Sequence, residues 1–380
     1  MPFTAIHLLR CILLKHEISM HSTVLTLNME NGDFVPPQIL EFHITALCTA
    51  ISAVTGTEIR ADAQDRALLK IIEVANRFGL EIVEQRWLTN QPTGVHGYGC
   101  VEFLARNVIP ADQVLPQPVQ PEKLREAFLS LAETLGIDIA ILPATRQPRI
   151  PRMVAFDMDS TLIQGEVIDE LAKLAGVGEQ VSAITAAAMR GELQFQESFR
   201  RRVALLKGLP EAQVLSLLGK IPLMEGAERL FRILNALRIR TVILSGGLTF
   251  FGADLERRLG IAEVHANHLD IHNGQVTGEI RGQIVDGARK AELLGNIAER
   301  EGIALSEIVA VGDGANDLPM LRLAGLGVAF HAKPLVRASA QAAVSRVGLD
   351  ALLYLFGLSD TEQIQPTKEA AATPTAPTTL

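Results

Sequence analysis

From residue 153 onward the apolar positions come in short unbroken runs: "MVAFD" (153–157), "TVILS" (241–245), "IVAVGD" (308–313) and "LGVAF" (326–330). A run that is apolar at every position suits a strand buried on both faces. The stretches between these runs carry apolar residues at helical spacing. Strands alternating with helices in this way predict βα units and a doubly wound parallel sheet. One segment departs from that rule. "HLDIHNGQVTGEI" (268–280) sets Asn273-Gly274 between two alternating pieces, which predicts a hairpin.

The first part of the chain reads differently. "STVLTLNM" (22–29) alternates like a strand, and "PPQILEFHITALCTAISAV" (36–54) reads as a helix with prolines at its start. "DAQDRALLKIIEVANRFG" (62–79) predicts a second helix closed by Gly79. "EIVEQRWL" (81–88) and "GCVEFLARNV" (99–108) predict strands, "PEKLREAFLSLAETLG" (121–136) a helix and "IDIAIL" (137–142) a strand. These elements predict a small α/β domain over 22–145. A linker follows at 146–152, within "PATRQPRIPR" (143–152), which mixes prolines with arginines. The main α/β domain is expected over 153–358. The tail over 359–380 is rich in Thr, Pro and Ala and is expected to be disordered. Residues 1–21 are expected to be an extension. Its apolar stretch is broken by His7 and Arg10, with no cleavage site of small residues, so it does not read as a signal peptide, and Met20 is an alternative start.

Composition narrows the function classes. The 380 residues carry a formal net charge of −8 and only one Trp and two Tyr. That leaves neither a basic surface for phosphate backbones nor a groove of stacking aromatics, so nucleic acid is not an expected partner. The scattered Cys11, Cys48 and Cys100 form neither a disulfide framework nor a zinc knuckle, which suits a reducing cytoplasm. No apolar run has the length of a membrane span. His265, His268 and His272 lie on a strand and hairpin without paired spacing on a helix, so surface or packing roles are expected for them.

Ligands of open α/β sheets bind beyond the carboxyl ends of the strands. There the first long run ends in Asp157 and Asp159, the second in Ser245-Gly246-Gly247, and the third in "GDGAND" with Asp313, Asn316 and Asp317. Lys290 stands in the helical stretch between the last two. Each piece alone is ordinary: a DxD pair caps helices, an SGG makes turns, and "GDGAND" looks like a calcium loop without its glutamate in register. Together they suit phosphoryl transfer. A carboxylate attacks phosphorus, glycines let backbone N–H groups approach phosphate oxygens, and a lysine with a hard cation neutralises charge. One further position stands out. On a helical wheel of "FQESFRRRVALL" (195–206), Arg202 falls at roughly −20° from Phe195, inside the stripe of Phe199 and Leu206, while Arg200 and Arg201 fall outside it. A guanidinium in an apolar stripe calls for an anion.

These four strand-end segments, in this order over 153–358, resemble the four motifs of the haloacid dehalogenase (HAD) superfamily of phosphatases. "FDMDSTLIQGEVIDELAKLAG", "AAMRGELQFQESFRRRVALLKGLP", "SGG" and "VGDGANDLPML" resemble, more narrowly, its members that hydrolyse O-phospho-L-serine in the last step of L-serine biosynthesis. The resemblance implies a HAD-like, Rossmann-like sheet with a helical cap over about 164–235, and an N-terminal domain that is ACT-like and regulatory. It implies Asp157 as nucleophile forming an aspartyl phosphate, and Asp159 as general acid and base. Mg²⁺ is expected on the Asp157 carboxylate, the Asp159 backbone carbonyl and Asp313. Ser245, Gly246, Gly247, Lys290 and Asn316 are expected around the phosphate, with Asp317 and Thr161 in support. Glu166 is expected to hold the substrate ammonium, Arg202 its carboxylate, and Met189 and Phe195 to close the pocket. L-serine is expected as product or effector, and a homodimer is compatible with the family. Two other readings keep part of the motif set. One is a HAD phosphotransferase or a phosphatase for a related small phosphorylated metabolite. The other makes 22–145 a non-catalytic amino-acid-sensing module.

Overall fold

The computed structural model describes residues 39–49, 57–90, 98–108, 120–146 and 148–364. The expected strand at 22–29, the extension before it and residues 365–380 lie outside these.

Seven strands form the larger sheet in the order β11-β10-β9-β5-β6-β7-β8. These are β5 (Met153–Phe156), β6 (Arg240–Leu248), β7 (Glu263–His272), β8 (Gln275–Arg281), β9 (Ile308–Gly312), β10 (Leu326–Phe330) and β11 (Ala342–Val344). All neighbours pair in parallel except β7 and β8. That exception is the hairpin expected at Asn273-Gly274, both of which take positive φ (50° and 74°) as a tight two-residue turn requires. The apolar runs are explained by burial on both faces. In β5, Val154 and Phe156 enter one core and Met153 and Ala155 the other. In β9, Val309 and Val311 divide from Ile308 and Ala310 in the same way.

Between β5 and β6 the chain forms helices Val167–Leu174, Gly178–Met189, Phe195–Ala204, Glu211–Leu215 and Ala227–Ala236. The first four make an insertion. Its two strands of entry are tied where Gln164 N donates to Pro222 O (2.9 Å) and Met224 N to Leu162 O (2.8 Å). At its far side it docks on the hairpin, with Gly208 N donating to Val276 O (2.8 Å) and Val276 N to Leu209 O (2.9 Å). The fifth helix belongs to the sheet layer: Phe231 packs on Phe156 with ring centroids 5.1 Å apart.

The N-terminal elements run β1 (Ile39–Thr49), helix Thr57–Arg77, β2 (Glu81–Trp87), β3 (Tyr98–Val108), helix Pro121–Leu135, β4 (Asp138–Pro143). Their sheet is antiparallel in the order β2-β3-β1-β4. This is the βαββαβ arrangement of ferredoxin-like domains. One expectation is corrected here. Residues 39–49, read as part of a helix, form the central strand of this sheet. Phe42, Ile44 and Ala46 face the helices, while Leu47 joins the core shared with the larger domain. Glu41, His43 and Thr45 do alternate with Phe42, Ile44 and Ala46 as a strand's residues should, but the prolines at 36–37 and the apolar residues at 46–48 drew the reading to a helix.

The two sheets are joined along the β11 edge. Both carboxylate oxygens of buried Asp138 accept backbone N–H groups, from Ser345 (3.0 Å) and Arg346 (2.8 Å). The expected disordered tail is also corrected at its start. Asp360 is 3% exposed, accepts from Tyr354 Oη at 2.6 Å and from Asn90 N at 2.9 Å, and donates its own N–H to Leu88 O at 2.7 Å. Apolar and acidic residues there find partners on both domains, which composition alone did not reveal.

Asp138 therefore ties the junction through two backbone donors to a carboxylate that is itself buried. Asp138→Ala should cost about 1–3 kcal/mol by denaturant unfolding, with Asp138→Asn costing less because the amide keeps one acceptor oxygen.

Candidate active site

The site begins where β5 stops. Asp157 N still donates to Val311 O at 2.9 Å, but from there the chain turns back on itself. Met158 O accepts from the N–H groups of Thr161, Leu162 and Ile163 (3.2, 2.8 and 3.2 Å), and Ser160 adopts φ 57°. The two aspartates therefore do not share a strand face. Asp157 Oδ1 lies 2.9 Å from Lys290 Nζ and accepts from Met158 N at 2.7 Å. Asp159 turns to the insertion. Its Oδ1 accepts from Val167 N (3.2 Å), one of the unpaired donors at the start of helix Val167–Leu174. Burial, then the charges of Glu166 and Asp157, push the Asp159 carboxyl well above the usual carboxylate range. That environment favours the protonated form of Asp159, beside the ion pair of Asp157 and Lys290.

The end of β6 supplies the second wall. Leu244 pairs with His265 but Leu248 pairs with Asn267, so Ser245, Gly246 and Gly247 bulge out of the ladder. Small residues are required there. A Cβ on Gly247 would lie 2.6 Å from Asp159 Oδ2, and one on Gly246 would lie 2.8 Å from Phe195 Cζ. Ser245 is fully buried and its Oγ accepts from Gly247 N at 3.0 Å. Asn267, buried beneath, donates to Gly246 O at 2.8 Å and accepts from Val285 N at 2.9 Å, which pins the bulge. Sequence reasoning missed Asn267. Its signal was an amide in "EVHANHLD", where a strand facing a core should be apolar.

Lys290 and the β9 loop supply the third. The helix carrying Lys290 runs Gly287–Glu301, and Asp286 caps it by accepting from Arg289 N at 2.9 Å. Lys290 is fully buried, with Nζ 2.6 Å from Asp317 Oδ1 and 2.9 Å from Asp157 Oδ1. Burial disfavours its charge, but Asp157 and Asp317 outweigh that and raise its pKa. Asp317 uses its other oxygen to accept from Gly314 N at 2.9 Å. Asp313 is half-buried and accepts from Thr161 Oγ1 at 3.3 Å. Burial first, then repulsion from Asp157 and Asp317, push the Asp313 carboxyl up to about 8. Asn316 lies beside them, its backbone against Gly287.

One oxygen from each of Asp157, Asp313 and Asp317 can be chosen so that all lie within 4.8 Å of one another. Asp317 is committed to Lys290 and Gly314. Asp157 and Asp313 remain as crowded oxygen donors whose mutual repulsion a cation would relieve. That donor set fits a hard divalent ion such as Mg²⁺, which takes one or two carboxylates. No histidine belongs to such a group among the described residues. His265 instead lies 2.7 Å from Glu263.

The insertion contributes the remaining expected residues unequally. Glu166 precedes helix Val167–Leu174 and accepts from Ser160 Oγ at 3.1 Å. One flank of Glu166 is open to solvent. The surrounding walls still desolvate its carboxyl and Asp157 repels its charge, so its pKa is raised. Arg202 is half-buried, with its guanidinium 5.9 Å over the Phe199 ring and a buried Nε that has no hydrogen-bond partner. Burial lowers its pKa, while Glu166, Asp169 and Asp159 pull the other way. Phe195 stacks on Phe199 with centroids 6.0 Å apart and leans on Gly246. Met189 is placed at the rim: it is 67% exposed, with its sulfur 3.7 Å from Lys333 Nζ.

Comparison with known proteins agrees with this geometry. The family model described as haloacid dehalogenase-like hydrolase matches residues 154–322. The phosphoserine phosphatase of Streptomyces coelicolor is 46% identical over 259 residues, covering 68% of this chain and 63% of that protein. The chain thus spans under two thirds of that relative. The phosphoserine phosphatase of Archaeoglobus fulgidus is 44% identical over 236 residues, covering 61% of this chain and 69% of that one. Among solved structures, a HAD family hydrolase from Salmonella enterica superposes with a TM-score of 0.66 at 31% identity, over 83% of this chain and 98% of that chain. A phospho-aspartyl intermediate analogue of a phosphoserine phosphatase superposes with a TM-score of 0.51 at 40% identity, over 53% of this chain and 97% of that chain. With strand-end aspartates, serine–glycine bulge and buried lysine all in the family's order, the chain belongs to the haloacid dehalogenase-like hydrolases, in the branch of the phosphoserine phosphatases.

Proposed function

We propose that the chain hydrolyses O-phospho-L-serine to L-serine and phosphate, the last step of L-serine biosynthesis. The observation that carries this reading is the Asp157 carboxylate at the end of β5, 2.9 Å from a fully buried lysine, with Asp159 set apart from it. In the first step a carboxylate oxygen of Asp157 attacks phosphorus and the bond to the serine oxygen breaks. Asp159, whose desolvated position favours the protonated form, gives its proton to that oxygen as it leaves. In the second step Asp159, now ionised, takes a proton from water as the water attacks the aspartyl phosphate, and phosphate departs with the Asp157 carboxylate restored. Lys290 and the N–H groups of the Ser245–Gly247 bulge hold the charged phosphoryl oxygens throughout. Mg²⁺, held by Asp157, Asp313 and the Asp159 carbonyl, would supply charge neutralisation for the phosphoryl group when bound.

Selectivity is read from the insertion. Arg202, with an unpartnered buried Nε, suits the serine carboxylate, and Glu166 suits the ammonium. Phe195 closes on the glycines between them, and Met189 stands at the entrance. On this reading residues 164–223 act as a cap, shorter than the expected 164–235 because the helix Ala227–Ala236 packs in the sheet layer. A small soluble metabolite as substrate, and no helix long and apolar enough to cross a membrane among the described residues, support work in the cytoplasm.

A second observation concerns the N-terminal domain. A cavity of about 210 Å³ is lined by His43, Glu84, Arg86, Glu102, Leu104 and Arg149. Guanidinium and carboxylate groups around one small space suit a zwitterion, which supports an ACT-like module with L-serine as effector.

Asp157→Asn should release no phosphate from phosphoserine while the wild type does; retained turnover in that variant overturns the nucleophile. Chelation should abolish activity and added Mg²⁺ restore it. Arg202→Ala should raise KM for phosphoserine about 10–100-fold with little change in kcat, and leave a phosphate ester without a carboxylate unaffected. For the effector, L-serine titrated into the Arg202→Ala variant should still give heat, and that heat should vanish when Arg149→Ala is added.

A further inference from the structure

Asp286 stands where the insertion meets the sheet domain, and its two oxygens do different things. Oδ1 accepts from Arg289 N at 2.9 Å and caps the helix that carries Lys290. Oδ2 accepts from Gln196 Nε2 at 2.6 Å, a side chain of the helix Phe195–Ala204 that carries Arg202. One carboxylate thus fixes the phosphate-side lysine helix and the helix at the other end of the substrate. The neighbours on both sides are site residues. Phe195, next in chain to Gln196, leans on Gly246, and Gly287, next to Asp286, lies so close to Asn316 that a Cβ would be 2.6 Å from its carbonyl oxygen. The insertion is also tied at its hinge, Gln164 with Pro222, at the hairpin, Gly208 with Val276, Glu211 with Gly274 and Ala204 against Gly278, and at its rim, Met189 with Lys333. None of these contacts lies at the first turn of the Arg202 helix, which faces the Ser245–Gly247 bulge. The contact between Gln196 and Asp286 does. The hydrogen bonds of Asp286 also hold its carboxyl below its ordinary pKa, outweighing the opposing effect of burial, so the acceptor stays ionised.

We propose that Gln196 is a positioning and specificity-determining residue. Its amide latches the insertion to Asp286, and the latch sets the distance between Arg202 and the phosphate subsite. Substrates gripped at both ends depend on that distance. Phosphate esters gripped only at the phosphate do not. This inference rests on the reading of Arg202 as the carboxylate anchor.

The test exchanges donor and acceptor. Gln196→Glu sets a carboxylate against the Asp286 carboxylate and breaks the latch. Adding Asp286→Asn restores it, because the new amide donates to the new carboxylate while its oxygen still accepts from Arg289 N. Gln196→Met removes the hydrogen bond without adding charge, and melting temperatures confirm folding of all three. Gln196→Glu and Gln196→Met should raise KM for phosphoserine about tenfold, with kcat and the constants for p-nitrophenyl phosphate little changed. The double variant should return KM to within about threefold of wild type. Backbone amides of 195–204 should exchange hydrogen faster in Gln196→Glu and recover in the double variant. Equal losses on both substrates, an unchanged KM, or no recovery in the double variant would overturn the proposal. If the wild type does not hydrolyse phosphoserine, the functional reading fails, and the exchange measurement still decides whether the latch exists.

Discussion

The site depends on one fully buried ammonium. Lys290 sits between Asp157 and Asp317, and each distance is that of a charge-assisted hydrogen bond. Burying such a charge is costly unless it is paired and hydrogen-bonded, so the surrounding structure must hold both partners in place. That requirement reaches far. Asp317 is fixed by Gly314 N, and the Lys290 helix is fixed by its Asp286 cap. Asp157 is fixed by the pairing of its N–H with β9. The result is a carboxylate at a strand end that cannot swing away from its counter-ion, which is the preorganisation that attack on phosphorus needs.

The same constraint sorts the acids. Asp157 and Asp159 are two residues apart, yet the turn at Ser160 sends them to different partners, one to the ammonium and one to a helix N-terminus. One site therefore sets a carboxyl paired with an ammonium beside one whose desolvation favours the protonated form, the contrast that a nucleophile and a general acid require. Asp313 and Asp157 stay crowded, with Asp313 pushed up to about 8. Crowding of that kind is expensive for a protein alone and is relieved by a hard cation.

Much of this was legible from residue order because it is local. "VAFDMDSTL" carries a buried strand and its exit turn, and "SGG" carries residues small enough to bulge beside Asp159. Asn273-Gly274 carries its own turn. What was not legible depends on contacts distant in sequence. β1 passed for a helix although Glu41, His43 and Thr45 alternate with Phe42, Ile44 and Ala46, because two prolines precede it and an apolar stretch at 46–48 breaks the alternation. Asn267 supports Gly246 across 21 positions, and Gln196 meets Asp286 across 90. An isolated Asn or Gln carries no pattern that announces its partner. Arg202 was an intermediate case. Helical spacing placed it in an apolar stripe, and the structure shows it over Phe199 with a buried Nε unpartnered, but only its neighbours on other elements give that position a chemical meaning.

The position of the N-terminal domain limits how it can act on this chemistry. It joins the larger sheet at β11, whereas the strand ends of the site belong to β5, β6 and β9. β10 and β9 stand between that edge and Asp157. None of the side chains assigned to catalysis comes from the domain, so it does not complete the site directly. Besides the contacts of Asp138 with Ser345 and Arg346, several of its polar contacts meet residues 349–364. Arg86 donates to Gly357 O at 2.9 Å, Arg149 and Arg86 share the buried Glu102, and Asp360 bridges Tyr354 and Asn90. Arg229, on the helix whose Phe231 packs against Phe156, reaches the same region through Asp350 at 2.9 Å. Packed and hydrogen-bonded residues thus connect the charges around Glu102 to β5: residues 349–363, Arg229, Phe231 and Phe156, the last residue before Asp157.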